Sequence, residues 1–155
     1  MIYIDTNVFV YAIENHPKYG AACKKVLGDI MDKKIDAACS ILVLTELLNV
    51  LVKMRKLTKG KLDVKGSVQA MLSFPITWFD MDFFVIENAA ELGYNISGVD
   101  YIHVATMEIN GVKRVISADA ELDKVDSLQR EDPLEYKRKL RMKNESIFGF
   151  GVDLG

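Results

Sequence analysis

Short apolar runs, each ending at a polar or acidic residue and giving way to a helical pattern, recur along the chain and limit the folds open to it. MIYI (1–4) stops at Asp5, IDAAC (35–39) at Ser40 and ITWF (76–79) at Asp80, while KRVIS (113–117) leads into the acidic turn ADAELD. Helical patterns fill the intervals. TNVFVYAI comes first, then KYGAACKKVLGDIMDKK behind Pro17, a residue tolerated in a first turn. ILVLTELLNVLVKMRK follows, with Ser40 as its cap, and SVQAMLSF is broken by Pro75. DFFVIENAAELGY is the next helix, ending at Gly93 or Asn95, and GVDYIHVATMEING runs from a Ser97 cap to a stop at Gly111. SLQ (127–129) reads as a last edge strand. Strands that alternate with helices make parallel βαβ units whose sheet is covered on both faces. The expected fold is therefore α/β, a three-layer α/β/α sandwich around a central, mainly parallel sheet. Its domain is expected to span 1–136, and residues 137–155, basic and then Gly- and Phe-rich, read as an appended tail.

Composition narrows the setting. A chain of 155 residues suits one domain with a proper core, and 50% hydrophobic with 27% charged residues is globular usage. A formal charge of −2 gives no global footprint for nucleic acid or membrane, although a local basic stripe suffices for the former. Cys23 and Cys39 match no metal or redox spacing and read as reduced, buried thiols. The first residues lack a basic n-region, and Asp5 interrupts their apolar stretch, so they do not read as a signal peptide. No run approaches the ~18 apolar residues of a membrane span. The expected location is the cytoplasm, with no membrane partner.

Four acids stand in telling places. Ligands of parallel α/β sheets bind outside the carboxyl ends of the strands. Asp5 directly follows the first strand, Asp119 closely follows KRVIS, and Asp100 lies in the first turn of its helix. Glu46 sits inside ILVLTELLNVLV, where Leu42, Val43 and Val50 occupy i−4, i−3 and i+4 and only Asn49 at i+3 is polar. A buried carboxylate is costly unless it is paired, hydrogen-bonded or bound to a metal. Each acid also has a structural reading. Asp5 serves as a helix cap, Asp100 as half of a capping box with Ser97, Asp119 as a turn residue, and Glu46 as a buried ion pair with Lys or Arg. Four acids converging on one edge with few basic neighbours would repel one another, and a divalent cation is the simplest remedy. An all-oxygen set suits Mg²⁺ or Mn²⁺. On this reading, removing the charge of Glu46 relieves repulsion and stabilises the metal-free chain.

The ordered set IDTNVFVYA with Asp5, S-x-x-x-x-T-E-L-L-N with Glu46, SGVDYIHVATM with Asp100 and VISADAELDKV with Asp119 resembles the PIN-domain family of metal-dependent ribonucleases, which includes VapC-type toxins. LQREDPLEY is similar to the close of many such domains, so the resemblance covers roughly residues 1 to 136. It implies a three-layer domain whose acids bind Mg²⁺ or Mn²⁺ and which hydrolyses RNA phosphodiesters as an endoribonuclease. The toxin of a toxin–antitoxin pair is the leading role, and ribosomal RNA maturation the alternative. The resemblance implies direct metal contacts from Asp5 and Asp119, with Glu46 and Asp100 completing the site. It also implies a homodimer and an antitoxin peptide across the active-site groove.

Several residues stand beside this set. Asn7 and Ser117 either orient the carboxylates or cap a helix and a turn. Asp123 is a peripheral acid on the family's pattern, or a solvated turn residue on its own. His103 shares a helix face with Asp100 at i+3, but Mg²⁺ prefers oxygen, so a core histidine is the plainer reading. His16, in a loop, carries no signal. Two basic clusters, KMRKLTKGK (53–61) and YKRKLRMK (136–143), offer charge for RNA phosphates, with Lys53, Arg55 and Lys56 the candidates named for contact. Two other classes fit less well. A haloacid-dehalogenase-type phosphatase wants a second Asp two residues after the first, where this chain has Asn7. A non-catalytic interaction domain has no reason to keep a glutamate such as Glu46 among apolar neighbours.

Overall fold

The computed structural model describes residues 1–136. The tail at 137–155, and with it nearly all of the second basic cluster, lies outside the described residues. The element order is β1 (Ile2–Ile4), α1 (Thr6–Ile13), α2 (Gly20–Met31), β2 (Ala37–Ser40), α3 (Ile41–Leu57), α4 (Val64–Leu72), β3 (Ile76–Phe79), α5 (Phe83–Glu91), α6 (Gly98–Ile109), β4 (Arg114–Ile116) and β5 (Gln129–Glu131). A short 3₁₀ turn, Ala120–Lys124, links β4 to β5.

The five strands form one all-parallel sheet in the order β3-β2-β1-β4-β5. β1 is central, and its Ile2, Tyr3 and Ile4 are buried, as an unalternating apolar run in a two-sided sheet should be. The chain first steps from β1 through β2 to β3, then returns past β1 to β4 and β5. With right-handed crossovers this reversal puts α1–α4 on one face and α5–α6 on the other. The packing agrees: α1 meets α2 and α3, α3 meets α4, and α5 meets α6. The expected three-layer sandwich is thus the observed one. Val8, Leu47 and Leu51 fill one side of the core together with β1, and Val104 and Met107 of α6 close the other. Both cysteines are free and buried. Among the described residues, no helix is long and apolar enough to cross a membrane.

Several boundaries differ from the sequence expectation, each for a local reason. α2 starts at Gly20 and not behind Pro17, because the His16 ring Nδ1 accepts the N–H groups of Lys18 and Tyr19 and holds a turn there. α4 starts at Val64 and not at Ser67, because the Asp63 carboxylate caps it by accepting the Gly66 N–H at 3.0 Å. α5 stops at Glu91, where Leu92 turns extended and packs into the core. β5 is the edge strand expected of SLQ, shifted to Gln129–Glu131. The Ser40 and Ser97 caps and the left-handed Gly111 (φ 66°) stand where the sequence puts them.

Leu51 anchors α3, the helix that carries Glu46, and is fully buried. Leu51→Ala is expected to lower unfolding free energy by about 2–5 kcal/mol, the range for a buried large-to-small change. Urea denaturation should show a lower midpoint with an unchanged slope.

Candidate functional site

Between β1 and β4 the chain direction of the crossovers reverses, which is where open α/β sheets form a crevice at their carboxyl ends. Ile4 of β1 pairs with Ile116 of β4, so the next residues, Asp5 and Ser117, emerge side by side. Asp5 occupies the cap position of α1 yet makes no side-chain capping bond there. Its Oδ2 instead accepts the Ser117 hydroxyl at 2.5 Å and the Asn7 Nδ2 at 2.6 Å. Asn7 Nδ2 also donates to Ser117 Oγ at 2.9 Å, and Asn7 Oδ1 accepts the Ala118 N–H at 3.1 Å. Ser117 Oγ then accepts the Asp119 N–H at 2.9 Å. Asn7 and Ser117 thus tie the end of β1 to the loop that carries Asp119. In a haloacid-dehalogenase-type phosphatase the Asn7 position would be acidic; here it donates to Asp5.

Glu46 projects from α3 to the same edge. Its Oε2 accepts the Thr6 hydroxyl and lies 2.9 Å from His103 Nε2. His103 is buried on α6, and its other ring nitrogen, Nδ1, lies 2.7 Å from the Tyr3 hydroxyl. The Tyr3 oxygen in turn accepts the Ser40 N–H at 3.0 Å. No Lys or Arg pairs with Glu46 among the described residues, so the ion-pair alternative takes a different form: a histidine and a threonine hold the carboxylate. Asp100 stands one helical turn before His103 on α6. It completes a capping box, its Oδ2 accepting the Ser97 hydroxyl at 2.5 Å while its N–H donates to Ser97 Oγ.

All four acids are half-buried, and they share a pattern. One oxygen of each carboxylate is held by uncharged or imidazole donors: Oδ2 of Asp5, Oε2 of Glu46, Oδ2 of Asp100, and Oδ1 of Asp119, which accepts the Glu121 N–H. None of the four forms an ion pair with Lys or Arg among the described residues. This is an oxygen donor set whose one contact to a basic side chain is His103 on Glu46, and its residue types suit a hard divalent cation. No three of the His, Cys, Asp and Glu side chains among the described residues stand close enough to cage an ion as they are.

Electrostatics separate the two best-surrounded acids. Burial pushes the Asp5 carboxyl above its ordinary range; His103, the Ser117 hydroxyl and the Thr6 N–H pull it back only in part, and Glu46 adds to the rise. Burial acts on Glu46 as well, but the His103 and Thr6 hydrogen bonds outweigh it and leave a net lowering.

The remaining candidates scatter. Asp123 does not turn to the acids: both its oxygens accept from Arg130 on β5, at 2.8 Å each. Arg130 also donates to the Ser117 carbonyl at 2.9 Å, so it braces the Asp119 loop from behind. The sequence offered only the phrase LQRED for this residue, and no local signal in it points to that role. Lys53, Arg55 and Lys56 are all exposed on α3. Helix periodicity sets Lys53 two turns beyond Glu46 on the same side, Lys56 beside it, and Arg55 on the far side. Arg55 and Lys56 face an open groove shared with Lys59, Gly60 and Val64.

Comparisons with known proteins give a family. The family model for the PIN domain matches residues 2–128. No curated protein matches the chain. Among solved structures, the Mycobacterium tuberculosis VapC20 toxin, which cleaves the sarcin–ricin loop, is similar at 17% identity, covering 81% of this chain and 95% of its own, with a TM-score of 0.65. VapBC2 of Rickettsia felis, bound to a DNA fragment from its promoter, is similar at 22% identity over 84% of this chain and 98% of its own, with a TM-score of 0.61. The FitAcB structure from Neisseria gonorrhoeae matches at 19% identity over 86% and 99%, with a TM-score of 0.60. At such identities the likeness is one of fold.

The opposed shifts give opposed expectations for the metal-free protein. A carboxyl raised above its unfolded value is destabilising once ionised, so the stability it favours fades as pH rises through its folded pKa. Asp5→Asn, measured in chelator at neutral pH, is therefore expected to raise the melting temperature by a few degrees. Glu46 is lowered, so its contribution is present above its unfolded value and fades as pH falls through the folded one. Glu46→Gln is expected to lower the melting temperature, the reverse of the sequence expectation, because it disturbs the His103 and Thr6 hydrogen bonds, whereas burial is what Asp5→Asn relieves. Thermal unfolding of both variants across pH 3 to 7 checks the pair.

Proposed function

The chain belongs to the PIN domain family, and from that premise we propose that it is a Mg²⁺- or Mn²⁺-dependent endoribonuclease acting as the toxin of a toxin–antitoxin pair. What supports this reading is that Asp5, Glu46, Asp100 and Asp119 are all half-buried, each with one oxygen held by donors and none paired with Lys or Arg among the described residues. Asp5 and Asp119, joined through Ser117, are assigned the direct metal contacts. Glu46 and Asp100 complete the site from α3 and α6. A divalent ion held by these residues would supply an activated water and charge stabilisation for phosphodiester hydrolysis.

The chain's own residues supply the rest. Ser117 and Asn7 fix the direction of the Asp5 carboxylate, and Arg130 keeps the Asp119 loop against β5. Lys53, in line with Glu46, and Lys56 beside it are assigned to RNA phosphates leading away from the acids. The exposed Ile41, Leu48 and Val52 lie along one side of α3 and suit a protein partner, a second copy of this chain or an antitoxin. Structures of related fold are toxin–antitoxin complexes, which supports the antitoxin reading.

Asp5→Asn combined with Asp119→Asn is expected to reduce Mn²⁺-dependent cleavage of single-stranded RNA to background while circular dichroism stays native. Undiminished cleavage would overturn the assignment. Lys53→Ala with Lys56→Ala is expected to weaken RNA binding and to flatten its salt dependence by about 0.7 per lost phosphate contact. An unchanged slope would remove both lysines from the RNA path.

A further inference from the structure

His103 is a buried imidazole, its side chain only 5% exposed, while the Glu46 side chain it touches is 31% exposed. It lies in neither the oxygen donor set nor the apolar packing alone. The hydrogen bonds around it fix a direction. The Tyr3 oxygen accepts the Ser40 N–H, so the one hydroxyl proton of Tyr3 is free to point at His103 Nδ1. Nδ1 is then an acceptor, and the ring N–H is on Nε2, aimed at Glu46 Oε2 at 2.9 Å. Thr6 donates to the same oxygen from the opposite element, α1. Oε2 is thus saturated from two sides, and Oε1 keeps its lone pairs.

We propose that His103, oriented by Tyr3, is a positioning residue for Glu46: it fixes Oε2 and turns Oε1 toward the space shared with Asp5 and Asp119. The proposal rests on the metal-site reading above. It gives β1 a second task, since Asp5 leaves one end of the strand for the acidic edge while Tyr3, from inside it, sets the histidine. Outer partners of this kind matter because a ligand that must be recruited from several rotamers binds less tightly than one already aimed.

Two measurements on the full chain test this. The first is the His103 tautomer in the metal-free wild type, read by long-range ¹H–¹⁵N NMR. The expected pattern is that of the Nε2–H form; the Nδ1–H form would overturn the proposal. The second is Mn²⁺ affinity by calorimetry for the wild type and the variants His103→Phe, His103→Gln and Asp119→Asn, each checked for native circular dichroism. His103→Phe removes the donor and is expected to weaken Mn²⁺ binding about 10- to 100-fold, the range for outer-shell partners. His103→Gln keeps an N–H near the Nε2 position and is expected to recover most of that loss, which a merely structural role would not produce. Loss of binding in Asp119→Asn alongside wild-type affinity in His103→Phe would overturn the positioning role and leave the metal site standing. Absence of Mn²⁺ binding by the wild type would overturn both.

Discussion

β1 and β4 are neighbours in the sheet although more than a hundred residues separate them in the chain, and the register between them sets the geometry of the acidic edge. Ile4 faces Ile116, so Asp5 and Ser117 leave the sheet together and can share a hydrogen bond. A slip of one residue would send Asp5 to the opposite face and leave a half-buried carboxylate without donors. The Asp5–Ser117 and Asn7–Ser117 hydrogen bonds oppose that slip, and Tyr3, Ile4, Val115 and Ile116 are all buried in this pairing. Pairing and packing together position the acid at the edge. The Asn7 bridge and the Arg130 brace then extend the same order to the loop with Asp119.

Two acids away from the carboxyl edge are paired with cations. Asp29, 4% exposed, accepts from Lys25 and Lys34 as well as from the Tyr136 hydroxyl, and Asp123 accepts a two-pronged Arg130 contact. Where Asp5, Glu46, Asp100 and Asp119 meet the carboxyl edge, the donors are hydroxyls, amides and one imidazole. Such donors orient a carboxylate and support its charge without cancelling it.

Much of this was legible in the sequence, for identifiable reasons. Apolar runs such as MIYI mark strands that must be covered on both faces. Glu46 stood out because Leu42, Val43 and Val50 leave it no solvated helix face. Short-range caps were legible too, since Ser40 and Ser97 act within three residues of themselves. What stayed hidden was long-range pairing. Periodicity placed His103 on one face with Asp100, yet nothing local says that this face meets Glu46 on one side and Tyr3 on the other. Arg130 was hidden for the same reason, because its partners are a carbonyl and a carboxylate brought near only by the β4–β5 pairing. The start of α4 was missed because a proper cap, Asp63, stood in a stretch whose lysines and glycines read as a turn.

The Tyr3–His103–Glu46 chain also bears on how the layers are held. Tyr3 belongs to the sheet, Glu46 to a helix of one layer and His103 to a helix of the other, while Ser40 joins β2 to α3. Four elements converge on one run of hydrogen bonds, and no buried side-chain polar atom among the described residues is left without a partner. A buried polar chain that is fully satisfied favours one packing over its near alternatives, because any shift of a layer strands a donor or an acceptor away from water. The same geometry that fixes the docking of α3 and α6 on the sheet therefore fixes the direction of Glu46. The acidic edge is a property of the assembled domain and not of any one helix or turn, so its precision comes from the packing of all three layers.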